Sequence, residues 1–320
     1  MKIQVPAELR ASIPANWFGR LLAATPVIMA VVATMLAGLA SSEMTSAQYE
    51  RSLGAQQQSK AGDQWSFFQA KRLRGDYESN TAELLRSLTE VRPFDLAALR
   101  AAAAGNTELT RLLDSPAAAS AAGYLASGKV PPLAPAPPPD PQVKAALDGL
   151  VHLVPDTEMA ALLAPVSDAA LEAALRADRD QAEAFDAATQ PVNAFTARLG
   201  ALLPDAVAPV AASAAAPGRS LTRDFTVAEL RYTAARYEVE ARLNQAIAYI
   251  YELQVRKSNF SAERHYKRSQ EFFYGMLAAQ LGVIVATLAM AARRRNLLWS
   301  LAAAAGVLAV AFAIYVYLYV

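Results

Sequence analysis

The chain has 320 residues, an apolar fraction of 54%, a formal net charge of +1 and no cysteine. This balance supplies no general electrostatic drive toward nucleic acid, and it excludes disulfides, thiolate metal sites and cysteine nucleophiles. Only His152 and His265 could serve a histidine-based metal site, and the uneven spread of apolar residues argues against an ordinary soluble globule.

The first expected elements are a cytoplasmic N-terminus over 1–20 and a transmembrane helix over 21–41. Leu21–Ala40 carries no charge, and at about 1.5 Å per residue such a run crosses a hydrocarbon core of about 30 Å. Gly38 and Ala40 also offer small residues at a signal-peptide cleavage site, but the run is long for a signal peptide. Further spans are expected over 272–292 and 297–320, joined by a cytoplasmic turn over 293–296. Arg293, Arg294 and Arg295 in that turn mark the inner side under the positive-inside rule, and Lys2, Arg10 and Arg20 before the first span agree. Residues 42–271 and the C-terminus then lie outside the cytoplasm.

Small residues recur every four positions at Ala30, Thr34 and Gly38, at Ala278, Gly282 and Ala286, and at Ala305, Ala309 and Ala313. Such spacing permits close helix contact, although the abundance of alanine generates it too. Gln280, the one strongly polar side chain deep in a span, is expected to make an interhelical hydrogen bond.

Fifteen of the 18 prolines fall between Pro93 and Pro217, which leaves two proline-free flanks able to form long helices. Over 221–271 a heptad-like stripe runs through Val227, Leu230, Ala234, Tyr237, Ala241, Asn244, Ala248, Tyr251 and Val255, and nothing breaks the helix before the second span. The first flank, 42–92, is less regular. It contains DQWSFFQAK (Asp63–Lys71), and its Gly54, Gly62 and Gly75 each weaken a helix by about 1 kcal/mol relative to Ala.

An antiparallel pairing of the flanks makes facing positions sum to about 314 and forms a coiled-coil stalk on the order of 75 Å long. That register sets Leu84 against Leu230, Tyr77 against Tyr237, and Trp65 against Tyr249, with Phe67 and Phe68 beside Ile247 and Ala246. These aromatics are read as a lock between helices or as a contact between copies.

The middle, 93–220, reads as an Ala/Pro-rich helical tip with limited core. One short helix is expected over Phe94–Asp114, an extended linker over Ser115–Pro141, and two short helices within Gln142–Ala164 with Asp156 as an N-cap. A longer helix, capped by Ser167 or Asp168 and kinked at Pro191, should run to Leu203 with Leu171, Leu175, Phe185, Val192, Phe195, Leu199 and Leu202 on one side. A second linker is expected over Pro204–Gly218.

Little in the chain points to chemistry. Asp178, Arg179, Asp180, Glu183 and Asp186 at helical spacing read as a solvated face rather than a metal or acid–base site. His265 reads as an exposed interfacial residue and His152 as a packing residue of the tip. Phosphate-loop, HExxH and GxSxG motifs are lacking, so no catalytic, cofactor-binding or metal-binding residue is assigned.

GDQWSFFQAKRLR after the first span, with ERHYKRSQEFFYGMLAAQLGVIVATLAMAARRRNLLW leading into the last, resembles the bacterial membrane-protein family known as domain of unknown function 4337. The likeness covers roughly Arg20–Arg92 and Leu230–Val320. It implies a bacterial membrane protein with an N-terminal span, a helical region and two C-terminal spans around a basic turn, and no activity comes with it; with the charge-based topology, the expected location is a bacterial inner membrane with a periplasmic stalk. The expectation is an all-α membrane protein with three transmembrane helices, a coiled-coil hairpin stalk and a small helical tip. Its function would be that of a non-enzymatic scaffold or interaction protein without cofactor. Expected partners are the lipid bilayer, further copies of itself and other envelope proteins, with no nucleic acid. The alternative is an accessory or regulatory subunit of an envelope transport or polysaccharide-export system.

Overall fold

The computed structural model describes residues 17–103, 105–133, 135–213, 220–292 and 295–319. Among them every regular element is an α-helix: α1 (Trp17–Leu88), α2 (Leu96–Ala102), α3 (Thr107–Leu113), α4 (Pro116–Ser127), α5 (Pro141–Val151), α6 (Asp156–Leu163), α7 (Asp168–Ser213), α8 (Leu221–Ala291) and α9 (Arg295–Tyr319). Helices α1, α8 and α9 each contain a stretch long and apolar enough to cross a membrane. Both long flanks are therefore continuous with their apolar spans.

The chain divides into two compact units, Met1–Ala55 with Val255–Val320, and Gln56–Gln254. In the first unit, the interior of α1, α8 and α9 is made largely of small side chains. Ala33, Ala279, Ala286, Ala289, Ala302 and Ala309 are buried, while Ile28, Val31, Met35, Leu281, Ile284, Leu288, Leu301 and Leu308 point outward. Small residues inside and large apolar ones outside is the arrangement a bilayer rewards, because lipid solvates the large side chains and close backbone approach supplies the packing. Met29, Leu36, Phe272 and Val316 are the larger buried side chains, and Met29 fills the space a Cβ would need at both Gly282 on α8 and Gly306 on α9.

Two side-chain hydrogen bonds fix this unit's register. Ser269 Oγ donates to the Ala40 carbonyl at 2.7 Å, and Trp299 Nε1 donates to Thr25 Oγ1 at 2.8 Å. The buried stripe on α1 is Met29, Ala33, Leu36 and Ala40, so the expected Ala30, Thr34 and Gly38 face is corrected. Those three residues are exposed, and a Cβ on Gly38 would meet nothing within 4 Å. On α8, Gly282 and Ala286 are buried and Ala278 is half-buried; on α9, Ala309 is buried between half-buried Ala305 and Ala313. Gln280 is exposed on the outer face of α8, not turned toward a neighbouring helix. Arg293 and Arg294 lie outside the described residues, and Arg295 opens α9.

The second unit departs most from expectation. Helix α7 is not a tip element but runs antiparallel beside α8. Phe225 lies against Gly200, the Tyr232 hydroxyl donates to Asn193 Oδ1 at 3.3 Å, and Gln254 Nε2 donates to Glu172 Oε1 at 3.4 Å. The expected two-helix stalk is thus a three-helix arrangement of α1, α7 and α8. Its largest apolar cluster joins Phe94, Leu99, Leu109, Leu113 and Leu125 of the region around α2–α4 to Val192, Phe195, Leu199 and Leu203 of α7 and to Phe225 and Tyr232 of α8. This core is larger than the limited one anticipated.

Local chemistry explains the other boundary changes. The single helix expected over Phe94–Asp114 splits because Gly105 adopts φ 102° and Asn106 then caps α3, accepting from the Leu109 amide at 3.0 Å. Where an extended linker was expected, Pro116 opens α4 at its first turn and Gly128, at φ 64°, closes it. Ser167 Oγ accepts from the Ala170 amide at 3.1 Å, and α7 continues through Pro191, Pro204 and Pro209 to Ser213. The helix Asp156–Leu163 starts with Asp156 inside its first turn and Pro155 at the cap. His152 is exposed at the end of α5, its Nδ1 lying 2.7 Å from the Asp148 carbonyl oxygen.

Candidate functional site

Paired positions on α1 and α8 within the second unit sum to about 311 rather than 314: Lys60 sits over the Tyr251 ring and Lys71 bonds Glu240. The shift is a little under one helical turn. Its cause is a stripe on α1 that places Ala33, Ala40, Ala47, Gly54, Ala61, Phe68, Gly75 and Ala82 at every seventh residue. Apart from half-buried Phe68, all are buried. A Cβ at Gly75 would stand 3.4 Å from both the Ala234 carbonyl oxygen and Tyr237 Cβ, so the two backbones approach closely here and no aromatic pair forms.

The consequence falls on the residues singled out in the sequence. Trp65 and Tyr249 do meet, with ring centroids 5.4 Å apart at 83°, and Trp65 makes a second edge contact with Phe68 at 5.4 Å and 84°. Trp65 Nε1 donates to Glu252 Oε1 at 2.6 Å. Tyr251 is buried at the junction of three helices: the Lys60 ammonium lies 6.0 Å above its ring, the Arg179 guanidinium 5.7 Å, and Arg179 donates to its hydroxyl. Tyr77 does not reach Tyr237 and Leu84 does not lie buried against half-buried Leu230. Tyr77 is 70% and Leu84 57% exposed, and Phe67 is also exposed.

Next to Ala241 on α8 lies a polar layer the sequence did not reveal. Glu240, 8% exposed, pairs with Lys71 of α1 and with Arg236 Nε at 3.5 Å. Lys71 and Arg236 also lie over the Tyr237 ring, at 5.2 and 4.8 Å. These contacts are charge-assisted and partly desolvated, hence stronger than exposed pairs. Glu240 looked solvent-facing because it is off the heptad stripe. The available signal was a second apolar stripe, Leu243, Ile247, Ile250 and Leu253, which shows that α8 is covered on two sides.

Titration follows burial in this unit. Burial, and next the charge of Glu78, pushes the Glu229 carboxyl above its ordinary 4.5. Burial raises Asp178 as well and pushes the Tyr232 phenol up to about 12. A carboxyl raised by folding favours the fold while protonated and loses that contribution as pH rises through its folded value. Glu229→Gln is therefore expected to melt higher than wild type at pH 7, with the gain vanishing below about pH 4.5; thermal melts across that range check it.

Among the described residues, no three His, Cys, Asp or Glu side chains converge as a metal site requires. Asp180, Glu183 and Asp186 are exposed, Asp178 is half-buried, and Arg179 is engaged with Tyr251. His265 is half-buried rather than exposed, with Nδ1 2.5 Å from Glu43 Oε2. An open cleft of about 480 Å³ beside Gly75 is lined by Arg72, Arg231, Arg242, Asp76 and Glu238, of which Arg242 and Glu238 pair with each other.

The second unit also carries an exposed apolar stripe. Leu73, Tyr77, Leu84 and Leu88 on α1 are all more than half exposed. At 100° per residue they fall within an arc of about 60°, a single stripe opposite the small-residue face. Charges of both signs flank it: Arg72, Arg74, Asp76 and Glu83.

Among the described residues, regular structure that is helical throughout, three helices long and apolar enough to cross a membrane, and a charged, aromatic-rich helical region between the first and second apolar stretches define the class. Residues 18–116 match the family model described as Domain of unknown function (DUF4337). The match spans α1 to the start of α4, taking in the first of the two stretches that carry the resemblance and a part of the region 93–220 read as the tip. No curated protein and no solved structure matches the chain.

Proposed function

We propose that the protein is a non-enzymatic integral protein of a bacterial inner membrane that acts as a scaffold by associating with further copies of itself. Residues 42–271 lie on the periplasmic side in this reading, and the basic turn 293–296 faces the cytoplasm. The observation that carries it is the exposed Leu73, Tyr77, Leu84 and Leu88 stripe. A soluble helix face of that kind marks an interaction surface.

A second copy is the occupant that needs no further assumption. Two chains anchored in one bilayer present the same stripe at the same height, so a two-fold pairing is self-complementary. The mixed charges on either side impose no net repulsion between copies. Burying a large apolar side chain contributes about 1.5–3 kcal/mol, most of which association entropy consumes for free partners. Confinement to the membrane raises the effective concentration and reduces that cost.

Sedimentation of the detergent-solubilised full chain tests this. Wild type is expected as an oligomer, and Tyr77→Lys with Leu84→Lys as a monomer with unchanged helicity. An oligomer of the same size in the double variant contradicts the proposed surface.

A further inference from the structure

Between α1 and α9 in the first unit runs an open groove of about 320 Å³, almost wholly apolar, lined by Leu36, Leu39, Phe272, Ala313, Tyr317 and Leu318 among others. Its ends are set by the antiparallel pairing of the three helices. Gly275 of α8 lies against Leu36 and Phe312, and Gly282 against Ala302 and Ala305. Continuing that register places Arg268 of α8 level with Tyr319, one turn beyond Phe272 on the same helix face. Arg268 thus lies one turn beyond Phe272, the residue of α8 that lines the groove, where the apolar stretches end.

Arg268 is unusual in its surroundings. Its Nε is buried, and among the described residues no hydrogen-bond partner reaches it. A buried guanidinium N–H without an acceptor leaves its desolvation uncompensated. The nearest carboxylate from α1 at this level, Glu43, is engaged with His265, and Ser269 is engaged with the Ala40 carbonyl. Glu271, Arg264 and Lys267 complete the charged groups within one turn on α8. An apolar groove with a cationic side chain one turn beyond its α8 wall, one of whose N–H groups has no acceptor, suits a molecule with an acyl tail and a phosphate head.

We propose that this groove is a phospholipid site, with one acyl chain between α1 and α9 and the phosphodiester accepting from Arg268. The assignment rests on the membrane reading above. It makes the lipid a bound component of the helix packing, not only the surrounding solvent.

The test is native mass spectrometry of the full chain released from detergent micelles after exposure to dioleoyl-phosphatidylglycerol or to dioleoylglycerol, which lacks the phosphate. Wild type is expected to retain the phospholipid about tenfold more than the diacylglycerol, the value of one charge-assisted hydrogen bond. Arg268→Gln should bring the phospholipid down to the diacylglycerol level, and Ala313→Phe, which fills the groove, should lose both. Equal retention of the two lipids by wild type, or retention unchanged in both variants, overturns the site. Flotation with liposomes separates the two layers of the argument. A chain that does not float overturns the membrane reading and the site with it, whereas one that floats without selective retention overturns the site alone.

Discussion

Gly75→Leu is expected to lower the stability of the second unit by about 3 kcal/mol, the upper range for inserting methylenes into packed contacts. A Cβ at this position already stands 3.4 Å from the Ala234 carbonyl oxygen and from Tyr237 Cβ. On the side facing α8 the further atoms of leucine crowd Ala234, Tyr237 and Glu238, which pushes α1 away from α8. That movement would loosen the Lys71–Glu240 and Trp65–Tyr249 contacts along the same face. Gly62→Ala is the control, since nothing lies within 4 Å of its Cβ. It should gain about 1 kcal/mol from helix propensity alone. Thermal unfolding followed by circular dichroism in detergent distinguishes the two, and a Gly75→Leu melt equal to wild type would deny the close approach.

Glu240→Ala should cost a similar amount, about 3 kcal/mol, because removing one member of a buried ion pair leaves its partners uncompensated. Here the stranded partners are Lys71 and Arg236, both held against Tyr237. The sign of the effect comes from desolvation and not from the strength of the pair. A combined Lys71→Met, Glu240→Leu variant is accordingly expected to recover most of the loss, as hydrophobic replacement of buried pairs often does. Recovery is read in the same melts, and a combined variant as unstable as Glu240→Ala would show that the charges themselves hold the helices.

The positions of these residues explain how much was legible in the sequence. The apolar stretches of α1, α8 and α9 stood out because an uncharged run of that length has no other use in a helix. The stripe through Tyr237, Ala241, Ala248 and Tyr251 on α8 showed the correct face. On α1 the large residues misled: Leu73, Tyr77, Leu84 and Leu88 have the spacing of a packing stripe and are exposed. The buried face is the alanine and glycine heptad, whose glycines looked like weak points of the helix. A small-residue face buries little area per residue, so it is silent in a search for bulk.

The position of α7 was hidden for a different reason. Pro191, Pro204 and Pro209 each remove a helix hydrogen bond, which argued for breaks, yet the helix runs on to Ser213. Its face of Leu171, Leu175, Phe185, Val192, Phe195 and Leu199 is buried along its length, and that packing offsets the lost bonds near Pro191. The same third helix brought Arg179 to Tyr251 from a distant part of the chain, a contact no local pattern could announce.

The central claim is that copies meet through the outer face of α1, and the absence of native cysteine allows a direct measurement. Leu84→Cys, introduced alone and oxidised in native membranes, is predicted to give a disulfide-linked dimer, while Ala82→Cys on the buried face gives none. Monomer only from Leu84→Cys, under conditions where a soluble maleimide reagent labels the same thiol, would contradict the account.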